Sequence, residues 1–122
     1  MALTHDVNLR NTFADAVDAA VNVTAPGSLI LKVSTSEVAT MVLNNPAFAV
    51  ASGGDIVLDV VPEPTDADAI GNASPVDNFD FVDGAAAVVF SGVVPGDITL
   101  SKAIIALDDI VKVTSFTYSA TQ

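Results

Sequence analysis

The chain has no cysteine, no tryptophan, one histidine, one tyrosine and only four basic residues in 122. Each shortage excludes a class. Without cysteine there is no disulfide scaffold, no thiol nucleophile and no thiolate zinc site. With the basic residues reduced to Arg10, Lys32, Lys102 and Lys112, no cationic surface can gather to hold a nucleic acid backbone. His5, the only histidine, precedes the first predicted helix, where a general base would be poorly held beside any nucleophile. No glycine-rich phosphate loop occurs: Gly53-Gly54 is a doublet, and no Gly-Lys-Ser/Thr follows it. Glutamate occurs only at Glu37 and Glu63, and with no tryptophan the aromatic-lined, two-carboxylate cleft of a glycoside hydrolase is a poor fit. The longest apolar runs, such as Ala85 to Phe90, fall far short of the roughly 18 residues of a transmembrane helix. Met1 to Asp6 shows neither the basic nor the apolar region of a signal peptide. Neither catalytic residues nor a cofactor are expected, and neither nucleic acid nor membrane as partner.

What the chain does contain is acid and aliphatic side chains. Fifteen Asp and Glu give a net charge of -11, and 51% of the residues are apolar. That apolar content is too high for intrinsic disorder. A single domain spanning 1–122 is expected, long enough to bury about two-thirds of its unfolded surface. Seven of the 15 acids fall between Asp59 and Asp83, and all four basic residues lie outside that stretch. The acidity is therefore partly local, which marks one loop and hairpin as facing solvent or cations.

Residues 6–21 read as a helix, with Asp6 or Thr4 as its cap. Leu9, Phe13, Val17 and Ala20 or Val21 form one apolar stripe, expected to pack on the domain's own sheet. Beyond Pro26-Gly27 the chain turns β-prone. Strands are expected at Leu29–Val33, Val38–Leu43, Ile56–Val61, Phe79–Val82, Ala86–Ser91, Ile98–Leu100 and Ile110–Tyr118. Asp83-Gly84 is a hairpin turn of the kind that favours positive φ. The last strand should place Val111, Val113, Ser115 and Thr117 on one face and Lys112, Thr114, Phe116 and Tyr118 on the other. Ile104 to Asp109 reads as either strand or a turn of helix. Short strands punctuated by turn signals predict a mainly β fold, a β-sandwich or jelly-roll-like barrel over 28–120 with one N-terminal α-helix. Residues 62–78 form the one long acidic loop, and with the first few residues they are expected to touch neighbouring molecules.

Asp66, Asp68 and Asp77 partly follow the spacing of a calcium loop, with Gly71 at its sixth position. Ile70 occupies a position that needs an oxygen, Asp77 stands where a bidentate Glu is usual, and prolines flank the segment. A solvated acidic loop is the simpler reading, and the metal reading survives as a weak candidate. The six Phe default to core packing. Tyr118 is expected at the rim of a contact, since its ring end tolerates water. Leu9, Phe13 and Tyr118 are the interface candidates.

Several phrases occur in an order that resembles the small virion proteins of tailed bacteriophages. They are Asn8-Leu9-Arg10-Asn11 and Ala14–Asp18 on the helix, then Leu29–Val33 after a glycine, then Asn45–Phe48 and Ala51–Gly54. In the C-terminal half come Asp83-Gly84, Val89–Val93, Gly96–Leu100 and Val113–Tyr118. The likeness departs at residues 62–78. It implies a capsid decoration, or cement, protein bound to the major capsid protein as a dimer or trimer. Such a protein lies on the capsid surface of the virion, and in the host cytoplasm before assembly. A tail or head-fibre component is the alternative, and an acidic calcium- or carbohydrate-binding β module is the second. Strong negative charge suits a chain that must stay soluble before many copies dock together.

Overall fold

The computed structural model describes residues 6–24, 26–94, 104–113 and 115–119. It is mainly β with one N-terminal helix: α1 (Val7–Val21), β1 (Ser28–Val33), β2 (Ser36–Val42), β3 (Asp55–Val57), β4 (Thr65–Asp66), β5 (Asn78–Val82), β6 (Val88–Val93), β7 (Val111–Lys112) and β8 (Thr117–Ser119). Asp6 caps α1, its Oδ2 accepting the Asn8 amide at 3.0 Å, which satisfies one of the donors that every helix start leaves orphaned.

Four strands form an antiparallel sheet in the order β2-β1-β5-β6. Leu29 sits opposite Met41 and Phe81, and Leu31 opposite Ala39 and Phe79. All six are buried, so the two-residue period of each strand delivers one continuous apolar face. Lys32 and Asp80 lie on the other face, bridged at 3.1 Å. The register of β1 against β2 slips between Leu31 and Lys32. The β5–β6 hairpin turn is held by Asp83, whose Oδ1 accepts the amides of Ala85 and Ala87. Positive φ falls on Ala86, at 66°, rather than on Gly84. Gly84 is required for a different reason: a Cβ there would stand 1.5 Å from the Thr24 carbonyl oxygen.

The opposing layer is an interrupted ribbon in which residues 55–72 run antiparallel to 105–113 and 115–119. β3 pairs with β8 and β4 with β7. Between and beyond them the Leu58 amide donates to the Phe116 carbonyl, Val113 to Pro64, Ala69 to Asp109 and Asn72 to Ile105. Phe48, bridged to Leu58, adds a further strand-like segment. Six rings close the core between the layers. Phe81 stacks on Phe90 at 4.5 Å and meets Phe116 at 4.9 Å. Phe48 packs 5.8 Å from Phe81, and Phe79 lies edge-on to Phe116. Tyr118 reaches Phe90 at 5.3 Å.

Four sequence expectations change. The Ile56–Val61 strand stops at Val57, because residues 59–63 bulge out of the ribbon. The Ile110–Tyr118 strand becomes two, β7 and β8, since that bulge gives its two ends different partners. Strict alternation is lost there, and both Val113 and Phe116 pack against the core. Residues 62–78 are no free loop: they contain β4 and bury Pro64, Ala69 and Val76. Residues 104–109 form a turn, with Asp108 at φ 66° and the Asp109 amide donating to the Ala106 carbonyl. The Ile98–Leu100 strand lies outside the described residues.

Candidate docking surface

The helix carries three faces. Ala14 and Val21 are fully buried, and Val17 packs partly against the core. The expected Leu9–Phe13–Val17 stripe is therefore displaced, because Leu9 and Phe13 are each 42% exposed. A polar row explains the rotation. Asn11, Asp15, Asp18 and Asn22 recur at helical spacing and accept backbone amides from one segment. Asn11 takes Gly54 at 2.7 Å, Asp15 takes Ala51 at 3.0 Å, Asp18 takes Phe48 at 3.1 Å and Asn22 takes Ala47 at 3.0 Å. Those amides would otherwise need an acceptor from water or a neighbouring strand. Satisfying them turns the polar row toward residues 47–54, and Leu9 and Phe13 swing outward.

Burial pushes the Asp18 carboxyl above the ordinary carboxylate value. The Phe48 amide and Asn22 oppose that rise, and the charge of Asp15 adds to it. The carboxylates of the acidic stretch are similarly occupied. Asp66 Oδ2 accepts the Thr40 amide of β2 at 2.8 Å and its Oδ1 the Asp68 amide. Together with the Gly71 amide on the Val38 carbonyl, this covers part of an edge that would otherwise invite another strand. Asp77 accepts the Ser34 amide at 3.0 Å, in the β1–β2 turn. That bond, with one from Asn78, outweighs the little burial there and holds the Asp77 carboxyl below its usual value.

Asp66, Asp68 and Asp77 are thus not gathered around one point. Among the described residues no group of three or more His, Cys, Asp or Glu side chains is placed to hold a metal ion. His5 lies outside the described residues. Among those residues, no helix is long and apolar enough to cross a membrane.

The surface features left are apolar. Tyr118 is half-buried against Phe90, while Leu9 and Phe13 are exposed on α1. An open groove of about 380 Å³ lies over the paired segments Pro46–Ala49 and Val57–Val61. Val61, among its lining residues, is 82% exposed. Composition gave no sign of this groove, because it depends on the bulge at 59–63. The polar row was visible as a four-three-four spacing of Asn and Asp, but its backbone partners were not. Comparison with family models, with curated proteins and with solved structures gives no significant match.

Proposed function

We propose that this chain is a non-enzymatic structural protein of a bacteriophage particle, a capsid decoration protein bound to the major capsid protein shell. One observation carries the reading beyond the sequence resemblance. Many of the acidic side chains serve as acceptors for the chain's own backbone, while large aliphatic side chains stand in water. Asp15, Asp18, Asp59, Asp66, Asp77 and Asp83 all hold backbone amides. Val50, Val61, Leu107 and Ile110 are between 67% and 85% exposed. Carboxylates used in this way build a rigid scaffold rather than a reaction centre. Exposed apolar side chains on such a scaffold support the reading of a surface that meets another protein.

A net charge of -11 keeps free copies apart before assembly. Docking in many copies then lets weak single contacts sum, with dimers or trimers forming on the shell. Cryo-EM of purified particles, with the chain traced in the map, tests the reading. Density for the chain on DNA-filled heads supports it. Copurification with tails alone replaces it with a tail or fibre role. A melting temperature raised by millimolar calcium and restored by EDTA, with no particle association, replaces it with an ion-binding module.

A further inference from the structure

We propose that the groove over the paired segments Pro46–Ala49 and Val57–Val61 seats a large apolar side chain of a protein partner whose flanking residues are basic. The proposal deepens the docking reading above and rests on it for the partner's being a protein. The two segments that line it are paired with each other and fixed before anything binds. The Ala49 amide donates to the Val57 carbonyl and the Asp59 amide to the Ala47 carbonyl, both at 2.8 Å. Asn44 Nδ2 donates to the carbonyls of Asp59 and Pro62 at 2.8 and 2.9 Å and so pins the bulge. From the far side, α1 holds Ala47 and Phe48 through Asn22 and Asp18. A seat set in this way loses little conformational freedom when filled.

The lining is apolar, and the exposed Val57 and Val61 would leave water on docking. The Asp59 carboxylate is already turned onto the Val61 amide, which leaves few polar anchors for a small molecule. Charge selects the partner. From Val33 to Ser101 the chain has ten acids and no Lys or Arg, and Asp55, Asp59 and Glu63 fall within and beside the groove segment. A cation beside the inserted side chain is drawn by that field, and an acidic one is repelled. A second copy offers less positive charge: Lys32 is bound to Asp80 and the Arg10 guanidinium lies against Gly54, so among the described residues Lys112 is the exposed cation it could bring.

Two acetylated, amidated peptides test the seat, each carrying Leu-Phe, one flanked by lysines and the other by glutamates. With isotope-labelled protein, the lysine-flanked probe should shift amide resonances of residues 46–49 and 57–61. The glutamate-flanked probe should bind at least about tenfold more weakly. Val61→Ser should abolish the shifts and leave the melting temperature unchanged, since the side chain is 82% exposed. Shifts centred elsewhere, or none with the lysine probe, overturn the seat. Concentration-dependent shifts at these residues without peptide, with dimers in sedimentation, assign it to a second copy and also overturn it. On particles stripped of the chain, Val61→Ser rebinding as well as wild type overturns the seat and leaves the virion reading standing. A chain that binds the lysine probe in the groove but is absent from particles overturns only the virion reading.

Discussion

The Asp18 carboxylate accepts the Phe48 amide at 3.1 Å across thirty residues of chain, and the same oxygen takes the Asn22 side-chain amide at 2.9 Å. This pair joins the helix to a segment that lines the groove. It also explains how a domain with so many carboxylates folds tightly: the charge is placed on backbone donors that need acceptors.

Removing that acceptor should be costly. Asp18→Ala leaves a partly buried amide unpaired, a loss of about 1–3 kcal/mol, read as a melting temperature lowered by several degrees. Asp18→Asn keeps a side-chain oxygen and should recover most of the loss. If the two variants melt alike, the bond to Phe48 is not what holds the helix in place.

The parts of the fold that follow from local periodicity were legible. Leu29 and Leu31, and Phe79 and Phe81, alternate because one face of their strands is buried, and that alternation marks β1 and β5 from sequence alone. The capped helix was legible for the same kind of reason. The ribbon of 55–72 on 105–113 and 115–119 was not. Its partners lie far apart in sequence, and the bulge at 59–63 breaks the register that a continuous strand would show. The helix rotation was hidden too, since an apolar count favours Leu9 and Phe13 inward. Only the backbone amides of Gly54, Ala51, Phe48 and Ala47 reveal that the neighbouring polar row must turn in. The groove inherits both invisibilities.

Two glycines separate steric from conformational cost. At Gly84 a Cβ would meet the Thr24 carbonyl oxygen at 1.5 Å and its carbon at 2.4 Å, so backbone must move. At Gly53 the added atom meets nothing within 4 Å, and the strain comes only from φ at 63°. Gly53→Ala should cost about 1–2 kcal/mol, the ordinary cost of a left-handed residue. Gly84→Ala should exceed it by overpacking the α1–β1 connection against the hairpin. Urea unfolding of both variants ranks them, and an equal or smaller loss at Gly84 would contradict the close approach.

Acid should act on the fold through opposed carboxyls. Burial raises the Asp80 carboxyl, but hydrogen bonds from Ser91 and Lys32, with the Lys32 charge, outweigh it and hold the group below 3.8. Its contribution is then complete above that value and disappears as pH falls through the depressed folded value. Asp77 behaves in the same direction. Asp18 is opposite: burial raises it above 3.8, so its protonation favours the fold, and stability from this group falls as pH rises through the elevated value. Urea midpoints from about pH 3 to about pH 7 should therefore drop at the acid end. Asp80→Asn should flatten that drop by less than about 1 kcal/mol, as expected of a partly exposed pair. Asp18→Asn should remove whatever gain appears on mild acidification. A drop unchanged in Asp80→Asn would place the acid sensitivity elsewhere.

The rotated helix gives the last test, because its two faces should respond in opposite ways. Ala14 is fully buried and Leu9 is 42% exposed, five residues earlier on the same helix. Ala14→Leu forces three extra carbons into a closed core and should cost about 1–3 kcal/mol. Leu9→Ser changes an open surface and should alter stability by no more than about 0.5 kcal/mol. The stripe read from sequence gives the reverse ranking, since it puts Leu9 on the core side. Thermal melts of the two variants decide between them. Rebinding of Leu9→Ser to stripped shells then separates packing from docking. Unchanged stability with reduced occupancy would add the outer face of α1 to the docking surface, whereas unchanged occupancy would confine docking to other faces such as the groove.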